Sequence, residues 1–507
     1  MIKKIISIEK LKKIIFKQKA KKKRVVLCHG VFDLLHVGHI YHFEEAKEHG
    51  DLVIVSVTPD KYVNKGPNRP AFNEENRLRA LAALQVIDYV VLNKFPTATT
   101  IIKELKPNIY CKGKDYKFHK DDITGEIKNE INAVKKVGGK IIYTKSILFS
   151  SSGLINKFSE TNLSQHKKMI EKLKRKYSFI KINKMIESFN KLKVLVVGET
   201  IIDQYVFCNA LGKSGKEPML VLRDIKTEQY LGGAAAIARH VSSFSNKITL
   251  LSMLGEKGEF LKEIKNNLPI NVKFDYIKKK NSPTIIKKRF LDNISNNKVI
   301  GVYKINYEPL ISNDEKLFNN KLKKLIPKHD IIIVSDYGHG LISENSSKII
   351  YRNSKYLALN TQINAANLGY HSMRKYKNVD LLINNESEIR HEMRDIKNKT
   401  EILVKKLSSQ QNIKNLVVTQ GGEGAMIYNK INKKFNFCAA FAQAPLDKVG
   451  AGDAMLSIMS LCLKNGFTQE LALLVGSLAG AESTKTFGNK ETVSKNKILK
   501  ALQHLLK

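Results

Sequence analysis

The chain has 507 residues, too many for one ordinary hydrophobic core, so we expect two domains. Its hydrophobic content of 43% is normal for a globular protein, and no apolar run approaches the roughly 18 to 20 residues of a membrane span. The net charge of +40 comes from lysines spread along the whole chain, so we attribute it to composition and expect no nucleic acid and no membrane as partner.

Two features of the sequence favour a cytoplasmic protein. The basic, amphipathic residues 1–24 lack the continuous apolar core and the cleavage site of a secretory signal. The five cysteines are odd in number and never paired as C-x-x-C. That pattern predicts reduced thiols and argues against a disulfide framework or a zinc site.

Residues 24–155 alternate between short apolar runs and helical patterns. The predicted strands are 24–28, 52–57, 88–92, 108–112 and 140–143. The predicted helices between them are 39–49, 74–84, 98–105 and 126–137. This alternation predicts an α/β domain with a parallel sheet covered on both faces, in which ligands bind at the carboxyl ends of the strands.

The stretch HGVFDLLHVGH, residues 29–39, connects the first predicted strand to a helix. His36 and His39 are three residues apart and therefore lie on one side of the helix start. The free N–H groups of a helix start favour an anion, and two imidazoles there can donate hydrogen bonds to phosphate oxygens. A metal-binding pair or a plain helix cap is the alternative interpretation.

The longer string GVFDLLHVGH resembles the H-x-G-H motif of the cytidylyltransferase-like nucleotidyltransferases, over about residues 22–157. NKGPNRPAFNEENR, PNIYCKGKDY and FSSSGLIN are similar to further motifs of that family. The resemblance implies a Rossmann-like fold in which His36 and His39 stabilise the α-phosphate of a nucleoside triphosphate while pyrophosphate leaves. It also implies that Asp115 binds substrate and that the nucleotide is bound by Gly30, Phe32, Lys65, Arg69, Lys112, Ser150, Ser151 and Ser152.

Residues 158–192 are polar and charged with helical spacing, and we interpret them as a helical linker. The predicted domains are therefore 1–157 and 193–507. An apolar strand in KVLVVGETIID opens the second domain, whose later strand-like runs include 331–335, 380–383 and 416–419.

The segment DKVGAGDAM, residues 447–455, precedes an apolar helical pattern. Gly450, Ala451 and Gly452 would expose backbone N–H groups at that helix start and form an anion hole. Asp453 is then placed to take a proton from a substrate hydroxyl as the hydroxyl attacks a γ-phosphate. By itself, G-x-G-D is also typical of a simple turn.

Four other segments complete this second site. Gly232 and Gly233 open a helix that a sugar can approach closely, and Asp203 follows a strand with its carboxylate available to hydroxyls. The predicted nucleotide-side residues are Thr419, Gly421, Gly424, Asn385 and Glu388. Among them, Glu388 would organise Mg²⁺ through water.

Together these segments resemble the ribokinase-like sugar kinases of the phosphofructokinase B family over about residues 193–507, which implies an αβα fold with a small β lid. GKSGKEPMLVL, SPTIIKKRFL and VSDYGHGLI are similar to the kinase half of the bifunctional heptose kinase/adenylyltransferases. This likeness adds Lys287, Arg289 and Asp336 to the substrate-binding residues. In that family the kinase precedes the transferase, whereas here it follows.

Three departures from the heptose kinases concern the sugar acceptor. The D-P-K segment is absent, and the stretch in its place carries the amides Gln362, Asn364 and Asn367. His339 stands where those kinases have lysine, and DKV replaces D-T-T before the anion hole. Amides can hydrogen-bond sugar hydroxyls but bring no charge, so we expect an acceptor that lacks a phosphate there, with a weak or lost kinase activity as the alternative.

The two resemblances imply a bifunctional enzyme that phosphorylates a sugar and makes a nucleotide-activated, ADP-heptose-like sugar for surface polysaccharide. They imply ATP and Mg²⁺, with CTP as the other candidate nucleotide of the first domain. They leave the assembly open and suggest a homodimer through the lid. The alternatives are a transferase whose second domain only binds a sugar or regulates and, from charge alone, a nucleic-acid-binding protein.

Overall fold

A computed structural model describes residues 4–63, 69–113, 126–144, 163–364, 367–442 and 445–506. The chain divides into two compact units, residues 1–163 with 499–507 and residues 164–498. Five predicted site residues lie outside the described residues and stay predictions: Lys65, Asp115, Ser150, Ser151 and Ser152.

The first unit contains a parallel five-stranded sheet. Its strands are β1 (Val25–Gly30), β2 (Leu52–Val57), β3 (Tyr89–Leu92), β4 (Ile109–Gly113) and β5 (Lys140–Thr144). Its helices are α1 (Ile8–Ala20), α2 (Val37–Glu48), α3 (Glu74–Ala82), α4 (Ala98–Leu105) and α5 (Glu126–Lys136). In the strand order β3-β2-β1-β4-β5, β2 and β3 are added on one side of β1, and β4 and β5 on the other. Ligands of such sheets bind at the carboxyl ends of the strands where the order changes sides, here β1 and β4.

Alternate residues of these strands fill two separate apolar clusters. Leu27 and Ile54 belong to one cluster, whereas Val26 and Val55 belong to the other, together with Phe43 of α2. Because both faces of a parallel sheet are covered, its strands are continuous apolar runs. The doubly wound α/β fold predicted for this region is confirmed.

The second unit contains two sheets. Its strands are β6 (Lys193–Gly198), β7 (Thr200–Lys213), β8 (Leu220–Gly233), β9 (Lys247–Gly255), β10 (Val272–Lys279), β11 (Ile286–Asp292), β12 (Lys298–Lys304), β13 (Ile331–Asp336), β14 (Leu357–Thr361), β15 (Leu381–Asn385), β16 (Asn415–Thr419), β17 (Ala425–Asn429) and β18 (Lys434–Cys438). The large sheet has the order β10-β9-β6-β13-β14-β15-β16-β17-β18, and the small sheet, the predicted lid, has the order β12-β11-β7-β8.

Further helices follow from residue 163 onward, and the last of them runs into residues 499–507, which belong to the first unit. These helices are α6 (Leu163–Lys176), α7 (Phe179–Glu187), α8 (Ala234–Ser242), α9 (Leu261–Asn267), α10 (Ser312–Leu325), α11 (Glu344–Asn353), α12 (Glu386–Met393), α13 (Thr400–Gln411), α14 (Ala451–Lys464), α15 (Gln469–Ser483) and α16 (Lys495–Leu505). Among the described residues, no helix combines the length and the apolar character needed to cross a membrane.

Two of these helices occupy the segment predicted as a linker. Residues 164–498 belong to the second unit, which therefore includes α7 and all but the first residue of α6. The Asn465 side-chain amide donates hydrogen bonds to the Met185 carbonyl at 3.1 Å and to the Ser188 hydroxyl at 2.6 Å.

The helix α14 positions the second site. Its residues 454–462 are all buried, and it packs against β13, β14 and β15. A helix that is apolar on all sides belongs in a core, so its first turn, which carries Asp453, is held at a fixed place over the sheet.

Candidate active sites

The first site lies where β1 ends and α2 begins. His36 is the N-cap of α2, and its Nδ1 accepts a hydrogen bond from the Gly38 N–H at 3.1 Å. An accepting Nδ1 leaves the proton of the neutral ring on Nε2, which makes that atom a donor. The His39 ring stacks on His36 with 3.9 Å between ring centroids. Two imidazoles therefore lie together at a helix N-terminus, an arrangement suited to phosphate.

The turn between β1 and α2 is held by close packing. Phe32 has a left-handed backbone (φ +49°), and its ring meets His39 edge-on at 5.5 Å between centroids. A Cβ at Gly30 would stand 3.0 Å from the Phe32 ring, so a larger residue there would displace the ring. Gly30 and Phe32 thus shape the site by packing under the histidines.

Asp33 and two arginines fix the neighbouring loop. The buried Asp33 carboxylate accepts hydrogen bonds from the Ala71 N–H at 2.6 Å and the Phe72 N–H at 3.1 Å. Arg69, a predicted nucleotide ligand, pairs with Asp33 at 3.1 Å. Arg77 is buried and donates to the Val31 carbonyl at 2.6 Å, which gives it a structural role.

Lys112 lies near the end of β4, the strand next to β1. Its ammonium group is buried and pairs with Glu130 at 2.9 Å. Burial and the Lys112 charge lower the pKa of His29 to about 3 and that of His42 to about 4, so both rings are neutral at pH 7. His29 and His42 therefore add no positive charge beside Lys112.

The second site is centred on Asp453. Gly450 caps α14 with a left-handed backbone (φ +88°), and a Cβ there would stand 2.4 Å from the Asn489 Oδ1. Gly452 has open space where its Cβ would be, and Ala451 lies between the two glycines in the first turn. The N–H groups of these three residues lie at the helix start, where the Ala451 N–H donates to the Lys448 carbonyl at 3.4 Å, and the anion hole stays a prediction.

The Asp453 carboxylate is positioned by a tyrosine. The Tyr337 hydroxyl lies 3.1 Å from Oδ1 and 3.0 Å from Oδ2 of Asp453. Burial raises the pKa of Asp453 to about 7, against the opposing effect of the Tyr337 hydrogen bond. A carboxylate with a pKa near neutrality is suited to general-base catalysis.

The lid contributes two charged side chains near this carboxylate, Asp203 and Lys287. Asp203 on β7 is directly paired in register with Lys287 on β11, and Arg289 contacts the Asp203 carboxylate at 2.5 Å. The Lys287 ammonium group lies over the Tyr337 ring at 5.1 Å, and burial lowers its pKa to about 8. The structure thus places Asp203 and Lys287 near the Tyr337–Asp453 pair, and Arg289 contacts Asp203.

At the two predicted sugar-side positions, Gly232 and Gly233, neighbouring atoms leave no room for a side chain. A Cβ at Gly232 would stand 2.1 Å from the Asp203 Oδ2, and one at Gly233 would stand 2.3 Å from the Glu199 carbonyl oxygen. Gly233 also has a positive φ of 59°. Both positions therefore let β8 pass close to groups of the site and turn into α8.

Asp336 differs from the other predicted substrate residues because its carboxylate is engaged inside the protein. It pairs with Lys375 at 2.7 Å and accepts hydrogen bonds from the Tyr376 hydroxyl at 2.7 Å and the Gly338 N–H at 3.1 Å. Substrate would have to displace one of these partners to reach it. In this geometry Asp336 holds the strand end that carries Tyr337.

The nucleotide-side residues lie at the ends of two neighbouring strands, β15 and β16. Asn385 and Glu388 form a capping box at the start of α12, and Glu388 also accepts a hydrogen bond from the Ile363 N–H at 3.2 Å. The magnesium role of Glu388 stays a prediction. Thr419 ends β16, and Gly421 and Gly424 follow with positive φ angles of 59° and 115°.

Three residues of the second site were not predicted. Tyr337 follows Asp336 directly, but nothing in the sequence shows that it reaches Asp453, 116 positions away. Glu199 is fully buried and accepts hydrogen bonds from the Tyr337 N–H at 3.0 Å and the His339 N–H at 3.1 Å. Asp447 accepts from the Tyr205 hydroxyl at 2.7 Å, and only its place at the start of DKVGAGD could have indicated it.

The amides that replace the D-P-K segment serve the backbone. Asn367 is fully buried, and its amide donates to the carbonyls of Tyr337 and Gln362, both at 2.8 Å. The Asn364 amide also donates to the Tyr337 carbonyl, at 3.2 Å. The Asn367 amide, which we expected to contact sugar hydroxyls, instead holds the backbone at Tyr337 and Gln362.

Two helix starts, one with paired imidazoles and one with the Asp453 carboxylate, are each suited to binding an anion such as phosphate. Residues 191–496 match the pfkB family of carbohydrate kinases, and residues 27–158 match the cytidylyltransferase-like family. Because the first match covers more than half of the chain, the chain belongs to the pfkB carbohydrate kinase family. The predicted order, transferase domain before kinase domain, is confirmed.

The chain is similar to curated proteins called bifunctional protein HldE. It is 38% identical to that of Aliarcobacter butzleri (strain RM4018) over 27% of this chain and 29% of the relative. It is 37% identical to that of Geobacter sulfurreducens over 27% of each protein, so the chain spans less than a third of the length of these two relatives. To that of Campylobacter jejuni subsp. doylei it is 24% identical over 63% of this chain and 70% of the relative.

Among solved structures, phosphofructokinase-2 from Escherichia coli superimposes with a TM-score of 0.50 at 16% identity, covering 62% of this chain and all of that protein. At this identity the likeness shows the fold alone. It confirms the ribokinase-like architecture of the second unit.

Proposed function

We propose that the chain is a bifunctional enzyme whose second unit phosphorylates a sugar and whose first unit couples a sugar phosphate to a nucleotide. The observation that carries this proposal is the Tyr337–Asp453 pair, set between the predicted anion hole and the lid residues Asp203 and Lys287. The motif resemblance and the similarity to proteins called bifunctional protein HldE support an ADP-heptose-like product.

In the kinase reaction, Asp453 takes the proton of the acceptor hydroxyl as that oxygen attacks the γ-phosphate of ATP, and the bond to the β–γ bridging oxygen breaks to release ADP. The N–H groups around Gly450 and Gly452 bind the transferred phosphoryl group, and Lys287 offsets its charge. Mg²⁺ bound with ATP would neutralise phosphate charge, and Glu388 with Asn385 would hold its water shell.

In the transferase reaction, an oxygen of the sugar phosphate attacks the α-phosphate of ATP or CTP, and pyrophosphate leaves. His36 and His39 donate hydrogen bonds to the α-phosphate as its charge increases. Lys65, Asp115 and Ser150–Ser152 are proposed to complete the nucleotide and substrate contacts.

The surroundings of Tyr337 support an acceptor without a phosphate at the position of the missing D-P-K segment. Asn367 fills that position with an uncharged amide that is used by the backbone. A single phosphorylation then gives the sugar phosphate that the first unit uses. We further propose a cytoplasmic enzyme that forms a homodimer through the lid.

The test is to incubate the purified chain with Mg²⁺, each of the four nucleoside triphosphates, and a panel of heptoses, heptose phosphates and sugar 1-phosphates. ADP and pyrophosphate are measured separately. We expect ADP with one class of acceptor and pyrophosphate with one nucleotide. Absence of both products across the panel contradicts the proposal, and pyrophosphate without ADP supports a second unit that only binds a sugar or regulates.

A further inference from the structure

Two cysteines that are 83 positions apart in the sequence lie side by side in the first unit. Cys28 on β1 is paired directly in register with Cys111 on β4, and both are buried, with exposures of 0% and 1%. His42 on α2 lies against them, and one ligand atom from each of the three residues falls within 4.8 Å of the other two. Sequence spacing gave no sign of this cluster, because the sheet order β2-β1-β4 creates it.

The His42 ring is oriented by a neighbouring hydroxyl. Its Nδ1 lies 2.9 Å from the Thr144 Oγ1, and that hydroxyl donates to the Lys112 carbonyl at 3.4 Å. A hydroxyl that donates elsewhere accepts from the imidazole, so Nδ1 carries the proton and Nε2 keeps its lone pair. Metal-binding histidines are held in this way, with the second ring nitrogen donating to an oxygen.

We propose that Cys28, Cys111 and His42 form a binding site for a thiophilic metal ion, and specifically for Zn²⁺. Two sulfurs and one imidazole nitrogen are typical zinc ligands, with a water or another donor in the fourth position. Tetrahedral Zn²⁺ with bonds of about 2.3 Å places its sulfurs roughly 3.8 Å apart, and the three ligand atoms here lie within 4.8 Å of one another.

Charge balance supports this assignment. Each thiol loses its proton on binding, and two thiolates with one neutral imidazole cancel the charge of Zn²⁺. The site therefore buries no net charge, and the nearby Lys112 is balanced by Glu130 at 2.9 Å. The bound ion would tie α2, which carries His36 and His39, to the two central strands.

The test uses the reduced, metal-free full chain. ZnCl2 is titrated against a chromogenic chelator, and CoCl2 is added in a parallel sample to record thiolate charge-transfer bands and tetrahedral d–d bands. We expect one ion per chain. Cys28→Ser, Cys111→Ser and His42→Gln should each abolish tight binding, whereas Cys208→Ser, a buried cysteine of the second unit, should leave it unchanged.

Thr144→Val tests the orientation of His42 without removing a ligand, and we expect about 10- to 100-fold weaker zinc binding. The two serine variants change buried side chains, so a loss of zinc binding in them can also follow from misfolding. The cobalt spectrum of the wild-type chain and the zinc affinity of His42→Gln, at a partly exposed position, do not depend on the folding of the serine variants. A wild-type chain without cobalt–thiolate bands, or with bands that persist in Cys111→Ser, contradicts the proposal.

Discussion

At the scale of single residues, the kinase reaction depends on one carboxylate. Asp453 lies at the start of α14 with the Tyr337 hydroxyl 3.0 Å away. Asparagine at position 453 keeps the size and the hydrogen bond but cannot take a proton, so we expect ADP formation to fall by about 10²- to 10⁴-fold. Pyrophosphate release, measured with the same protein, should remain at the wild-type rate. An unchanged rate of ADP formation would show that the second unit uses another base.

The same carboxylate sets the pH dependence of the kinase. Burial raises the pKa of Asp453 from its ordinary value to about 7, and only the ionised form is a base. The kcat/KM for ADP formation should therefore rise with pH and level off above about 7, because kcat/KM follows the ionisation of the free enzyme.

Tyr337→Phe provides the control for this profile. The Tyr337 hydrogen bond lowers the pKa of Asp453, so its removal should move the rising limb to higher pH. A tyrosine that only supports packing would lower the rate equally at every pH and leave the limb in place.

At the scale of secondary structure elements, the sequence predicted buried strands well and exposed strands poorly. The predicted runs 52–57 and 331–335 coincide with β2 and β13 to within one residue, because strands covered on both faces are continuous apolar runs. In contrast, every residue of β12 is exposed, so its register in the lid follows from pairing with β11 and leaves no apolar signal.

The site residues divide in the same way. His36, His39, Gly450 and Asp453 lie within short motifs at helix starts, where local spacing determines geometry. Contacts such as Cys28–Cys111 depend on which strands are neighbours in a sheet. Local patterns carry no information on that order, so such contacts could not be predicted.

His36, at the start of α2, has two proposed roles that substitutions can separate. His36 caps the helix through Nδ1 and also offers its imidazole to phosphate. His36→Asn keeps an acceptor for the Gly38 N–H, so the free energy of unfolding should stay near the wild-type value, whereas His36→Ala should cost about 1 kcal/mol. Both variants lack the imidazole, and we expect pyrophosphate release to fall by about 10²- to 10³-fold in each. Full activity in His36→Asn would show that His36 is only a cap.

At the scale of the whole molecule, the chain has two compact units with separate sheets and separate sites. Each site is assembled from described residues of its own unit: His36 and His39 in the first, and Asp203, Lys287, Tyr337 and Asp453 in the second. A defect in one site should therefore leave the other half-reaction intact, with the sugar phosphate diffusing between the sites.

Mixing two full-length variants tests this independence. Asp453→Asn removes the kinase base and His39→Ala removes one transferase imidazole, so neither protein alone should convert the sugar acceptor, Mg²⁺ and nucleoside triphosphate to a nucleotide sugar. The mixture should form the nucleotide sugar after a lag, because the phosphate ester made by His39→Ala is released and used by Asp453→Asn. Retention of the opposite half-reaction by each variant is the control. A mixture that stays inactive while both half-reactions persist would show that the intermediate does not pass freely between protein molecules.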